Sequence, residues 1–111
     1  MDRKFVVAAA QLGPIGRDEP RESAVARMCA LMREAHSRGA RVVVFPELAL
    51  TTFFPRWYIE DQSALHAWFE TEMPNAAVRP LFELSDELGI GFHLGYAELT
   101  PEGRQFNTAI Y

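Results

Sequence analysis

Glu47 is the residue of this sequence best placed to do chemistry. It follows Val42-Val43-Val44-Phe45-Pro46 and precedes Leu48, with Phe53 and Phe54 close behind. Consecutive β-branched and aromatic residues that stop at a proline describe a central strand buried on both faces, so the carboxylate is expected to project from a strand end amid Phe45, Leu48, Phe53 and Phe54. Burial there raises a carboxyl pKa and turns a permanently ionised group into a general base or acid usable near neutral pH. The competing role is a structural glutamate, paired with an arginine or bonded to loop amides. Position alone does not separate the two.

The other reactive side chains are less well placed. Cys29 repeats with Val25, Met28 and Met32 at helical spacing, and nothing near it in sequence lowers a thiol pKa, so it reads as a small core residue. Lys4, the only lysine, precedes the first strand. None of His36, His66 and His93 stands three or four residues from another, so no metal pair is visible, and neither a metal nor an organic cofactor is expected. His36 falls in the last turn of a helix, where a cation complements the dipole. His93 faces a possible interlayer space, with a satisfied core histidine as the simpler reading. Phe53, Phe54, Arg56 and Trp57 are candidates for the rim of a pocket that holds an apolar part of a substrate, against plain loop packing. Asn107 reads as a tie between its strand and a neighbouring loop. Gly89, Gly91 and Gly95 have the wrong spacing for a dinucleotide fingerprint and precede a strand, and no serine-hydrolase elbow or phosphate-binding loop is present.

These residues must be positioned by alternating elements. Residues 5–10 are a short apolar run stopped by Gln11, Gly13, Pro14 and Gly16, as a buried strand leading into a loop would be. Asp18 as N-cap, Pro20 in the first turn, the apolar repeat from Val25 to Met32 and Gly39 as C-cap predict a helix. Residues 41–45 are the second strand. Strand, helix, strand makes a βαβ unit with parallel strands, and such units place functional groups in loops at the carboxyl ends of strands, where Glu47 lies. Residues 48–57 are apolar but aperiodic and contain Pro55, so they predict a packed loop. A short helix is expected over 62–70 and a firmer one over 77–88, with Val78, Leu81, Phe82 and Leu88 on one face and Gly89 at its end. Residues 90–98 alternate: Ile90, Phe92, Leu94 and Tyr96 line one side, and the small side of Gly91, His93, Gly95 and Ala97 lets another layer approach closely. A turn at 100–103 leads to a hairpin partner over 105–111. The sequence stops inside that strand with no polar tail, as a truncated chain would.

Composition narrows the function. With 111 residues and 49% hydrophobic content, one domain or part of one is the ceiling. Ten arginines, one lysine and a net charge of −4 leave no basic stripe for a nucleic acid. The apolar run after Arg3 and Lys4 is too short for a secretory signal, and no stretch approaches the roughly 20 apolar residues of a membrane span. A cytoplasmic location is the default expectation, in keeping with a lone cysteine.

The run Val43-Val44-Phe45-Pro46-Glu47-Leu48 resembles the first catalytic motif of the nitrilase superfamily, and Ala49-Leu50-Thr51-Thr52-Phe53-Phe54-Pro55-Arg56-Trp57 is similar to its N-carbamoyl-D-amino-acid hydrolase branch in particular. Further agreement lies in residues 9–14, 72–74, 78–83, 88–92, 94–99 and 106–108. The resemblance implies a four-layer αββα sandwich of α/β class, of which residues 1–111 form a single incomplete domain, the N-terminal portion, with the first strands of both sheets and two helices of the outer layers. It implies a Glu-Lys-Cys triad with Glu47 as general base, hydrolysis of N-carbamoyl-D-amino acids to D-amino acid, carbon dioxide and ammonia, and homo-oligomers formed through outer helices. A sibling amidase or β-ureidopropionase is the nearest alternative. The family's lysine and cysteine come later than residue 111, and Lys4 and Cys29 are no stand-ins. The 111-residue polypeptide alone is therefore expected to be inactive, and a non-catalytic assembly piece is the reading from a different class.

Overall fold

In the computed structural model, which describes residues 3–111, the first helix shows how the local signals were used. Helix α1 (Arg21–Ser37) begins after Pro20, which caps it without a side-chain hydrogen bond. Asp18, the expected cap, is not used. The longer Glu19 side chain takes over, accepting from the Gly16 amide at 3.3 Å, the Ser23 hydroxyl at 3.1 Å and Arg27 Nη1 at 2.8 Å. Hydrogen bonding to Arg27 is the main reason that the Glu19 carboxyl titrates below its ordinary value. Arg27 also bonds the carbonyls of Leu12 and Pro14, so α1 fastens the loop that follows the first strand. At the far end Gly39 has φ +85°, and the Ala40 amide returns to the Ala35 carbonyl at 3.0 Å, the six-residue closure that a glycine in the left-handed region permits.

The strands are β1 (Val7–Ala9), β2 (Val42–Val44), β3 (Gly91–Leu99) and β4 (Gln105–Ile110), in the spatial order β1-β2-β3-β4. The first three run parallel and β4 returns antiparallel to β3. Between them lie a 3-10 turn (Phe54–Arg56), the short helix α2 (Gln62–His66) capped by Asp61, and α3 (Arg79–Leu88) closed by Gly89 at φ +66°. Each predicted element is found, with α2 shorter than expected and the packed loop after β2 as foreseen. Among the described residues no helix is long and apolar enough to cross a membrane.

Two expectations are corrected. All four strands join one sheet, and α1 and α3 pack together on the same face of it, so the described residues do not divide between two sheets and two outer layers. The long β3 explains this, because its first half pairs with β2 on one edge while its second half pairs with β4 on the other. The core lies between the helices and that face, with Val25, Met28 and Met32 of α1 and Leu81 of α3 set against Val43, Phe92 and Leu94. Among the described residues the opposite face is open over β1 and β2, while the segment that follows β2 covers it at Gly95 and Ala97 of β3. Val44 is therefore 40% exposed where Val43 is fully buried, and Val7 of the edge strand is 60% exposed. A continuous apolar run marks a strand that tolerates burial on both sides, and it does not say which sides are covered.

Candidate active site

Glu47 follows β2, and the chain then turns sharply through Leu48, whose φ of +46° lies in the left-handed region that β-carbon-bearing residues seldom occupy. Such a conformation costs about 1–3 kcal/mol and persists only where its surroundings hold it. The holding contacts come from β3. The Ala49 amide donates to the Gly95 carbonyl at 3.0 Å, and Leu48 packs with Ala97 and Phe54. A β-carbon placed on Gly95 would lie 3.2 Å from both Glu47 Cα and Leu48 N and 3.3 Å from the Pro46 carbonyl. What approaches the small-residue side of β3 is thus the backbone that carries Glu47. Gly95→Ala is expected to destabilise the chain by about 1–3 kcal/mol, because backbone atoms must move to admit the methyl. A urea midpoint unchanged from the parent would show that the loop yields freely.

The turn also overturns the expected burial of the carboxylate, for Glu47 is exposed. Its side chain leaves the strand end toward β4 rather than into the aromatic loop, and Asn107 Nδ2 donates to Glu47 Oε1 at 2.5 Å. Asn107 does tie its strand to a neighbouring loop, and the tie runs through the Glu47 carboxylate itself.

Glu47 borders two cavities. The larger, about 340 Å³, is walled chiefly by apolar groups, among them Leu48, Phe53, Phe54, Phe69 and Ala97, with Asn107 and Gln105 alongside. The smaller, about 120 Å³, lies against the Leu12–Ile15 loop that Arg27 fastens and includes Phe53 and Arg56. Another cavity of about 340 Å³ opens between β1 and α1, but the Glu34–Arg38 ion pair stands at its wall and Glu47 is absent from it. Of the four expected rim residues, Phe53 and Phe54 border the larger space and Phe53 and Arg56 the smaller. Trp57 borders neither; its ring lies under the guanidinium groups of Arg17 and Arg56, at 4.8 and 5.5 Å, as a packing residue.

The wall that carries Phe69 is set by residues the sequence left unnoticed. Phe69 lies 5.4 Å from Phe54, centroid to centroid. The next residue, Glu70, adds a bridge to the sheet: its amide donates to the Ala97 carbonyl at 2.7 Å and its carbonyl accepts from Leu99 at 2.9 Å. Its carboxylate is buried, and Arg21 Nε reaches both oxygens at 2.8 Å while Asn75 donates to one at 3.1 Å. Arg21 also bonds the carbonyls of Ala67 and Phe69. A cation in the first turn of a helix opposes the dipole, and that misplacement was the signal that Arg21 answers to a distant anion. Tyr96, on the helix side of β3, has its phenol pushed up by burial, with Glu98 and Glu70 adding to the shift.

The remaining candidates lie elsewhere. Cys29 packs against the core, and burial pushes its thiol up, which is the wrong direction for a nucleophile. Lys4 precedes β1 and so stands at the opposite end of the parallel strands from Glu47. His36 is in the last turn of α1, His66 accepts from the Gln105 amide at 2.9 Å, and His93 Nδ1 is buried with no hydrogen-bond partner. Among the described residues no group of His, Cys, Asp and Glu is arranged to hold a metal. The site is therefore one carboxylate, oriented by an amide at the mouth of an apolar cavity and able to accept a proton from a group brought to it. A strand-end glutamate on a parallel βαβ unit agrees with the match of a family model, described as carbon-nitrogen hydrolase, to residues 6–111, and the chain belongs to that hydrolase family.

Proposed function

We propose that Glu47 is the general base of an amidohydrolase that converts N-carbamoyl-D-amino acids to D-amino acids, carbon dioxide and ammonia. The observation that carries the reading is the Glu47 carboxylate, held by Asn107 beside an apolar cavity bordered by Phe53 and Phe54 of the extended motif. A cysteine thiol attacks the carbamoyl carbon as Glu47 takes its proton, Glu47 returns that proton to the leaving amine, and it then activates the water that hydrolyses the acyl-enzyme. A lysine stabilises the oxyanion. In this proposal the cysteine and lysine come from outside residues 1–111, since neither Cys29 nor Lys4 borders a cavity with Glu47. The test is ammonia release by the active enzyme that contains this chain. N-carbamoyl-D-phenylglycine is hydrolysed and its L enantiomer is not; turnover of nitriles or β-ureido acids with the carbamoyl compound untouched moves the protein to a sibling branch.

The open sheet face favours a second reading, in which the 111-residue chain associates with itself or with another chain. Phe5, Val7 and Val44 leave an apolar surface that association would bury. A molar mass that rises with concentration in light scattering supports it, and a constant monomer mass rejects it.

A further inference from the structure

We infer that Arg27 is a positioning residue for the Glu47 site: its guanidinium holds the loop after β1 as a wall beside the carboxylate, and that hold sets how tightly substrate binds. The inference rests on the reading of Glu47 as the working carboxylate and adds to it a residue that acts without meeting substrate.

Residues 12–15 supply one wall of the smaller cavity, and the segment from Pro46 to Arg56 supplies the rest, Glu47 included. A substrate that reaches Glu47 from this side meets that loop. The loop has little of its own to hold it there. Leu12 is buried and Ile15 packs against the core, but between them Gly13, at φ +79°, has no side chain and Pro14 has no amide proton. Among the described residues the hydrogen bonds made by residues 12–15 all come from Arg27. Its Nη1 and Nη2 both reach the Pro14 carbonyl at 3.2 Å, and Nη2 also reaches that of Leu12. A β-carbon on Gly13 would stand 3.4 Å from Arg27 Nη2, so the guanidinium lies directly against the loop backbone. The guanidinium is itself fixed. Both Glu19 oxygens accept from Nη1, at 2.8 and 3.1 Å, and Val25 and Met28 beside Arg27 on α1 are buried in the core. Arg27 borders neither cavity with Glu47, so it acts only through the loop. An unclamped loop spends part of its time away from the binding position, and apparent affinity falls with the fraction of time that it is in place. Once substrate is bound the loop is seated, and Glu47 works as before. The signature is a raised KM at unchanged kcat, the reverse of what loss of the base does.

The experiment is steady-state hydrolysis of N-carbamoyl-D-phenylglycine by the active enzyme that contains this chain, with hydrogen exchange measured on the same proteins. Arg27→Lys keeps a charge beside Glu19 but lacks the planar fork that spans two carbonyls. It is expected to raise KM about tenfold with kcat within about twofold of the parent. Glu19→Gln leaves the fork and loosens what fixes it, and KM rises about threefold. Arg38→Lys, in the exposed pair with Glu34 on the same helix, leaves both constants unchanged. Without substrate, the peptide covering residues 11–17 exchanges faster in Arg27→Lys, while the β2 and β3 peptides keep the rates of the parent. If Arg27→Lys does not fold, Glu19→Gln decides by the same two measurements. Unchanged KM, a fall in kcat as large as any rise in KM, or unchanged exchange over residues 11–17 in a folded variant overturns the inference. Failure of the carbamoylase reading looks different: the parent enzyme itself leaves N-carbamoyl-D-phenylglycine untouched, and the same comparison of variants is then made with β-ureidopropionate.

Discussion

Glu47→Gln is expected to lower kcat for an N-carbamoyl-D-amino acid by about 10²- to 10⁴-fold, the range that a positioned general base contributes. Glutamine keeps the length and the Oε1 acceptor of glutamate, so the hydrogen bond from Asn107 survives and the side chain stays where it was. What is lost is the capacity to take a proton from the attacking thiol and from the hydrolytic water. Because Glu47 is exposed, the substitution removes no buried charge, and the urea midpoint of the 111-residue chain should stay at that of the parent. Turnover within a few-fold of the parent enzyme would remove Glu47 from the mechanism. Asn107→Ala separates base from orientation, since it leaves the carboxylate in place without its one hydrogen-bond donor and is expected to cost less than Glu47→Gln.

Arg21→Ala is expected to destabilise the chain by about 3 kcal/mol, near the lower end of the range for breaking a buried pair. The Glu70 side chain is 3% exposed, and among the described residues Arg21 supplies the only cation bonded to it. Removal of the guanidinium leaves a carboxylate uncompensated in a poorly solvated position. Two features keep the loss from being larger: the Arg21 side chain is itself 27% exposed, and Asn75 still donates one hydrogen bond. Urea-unfolding midpoints of the single and double variants provide the check. Glu70→Gln added to Arg21→Ala should recover part of the loss, because the stranded charge is then gone, while Arg21→Lys should fall between parent and Arg21→Ala, since an ammonium lacks the planar fork that also reaches the Ala67 and Phe69 carbonyls. Equal midpoints for Arg21→Ala and the parent would mean that Glu70 finds water in place of Arg21.

The order of elements was legible from residue patterns because the determining forces are local. Apolar repeats at helical spacing marked α1 and α3, glycines at 39 and 89 ended them in the left-handed conformation that glycine adopts without steric cost, and alternation marked β3. Glu47 was legible too, from an apolar strand that stops at a proline and from the motif it belongs to. The small side of β3 was seen to invite a close approach before the approaching group was known.

Tertiary structure decided the rest, because the deciding partners lie far apart in the chain. Arg21 and Glu70 are 49 residues apart, and Asn107 is 60 residues from the carboxylate it holds. Burial was misjudged at Val7, Val44 and Glu47 for a related reason: a side chain's own character states what it tolerates, whereas exposure depends on which other elements pack over it. Helices α1 and α3 took one face of the sheet, and the turn at Leu48 carried the carboxylate out to the other. The sequence by itself determined which elements form and which residue is equipped for proton transfer. Only the packing of β3 against the Glu47 turn decided where that residue points, because a single glycine leaves room for the approach and a hydrogen bond from a distant strand sets its direction.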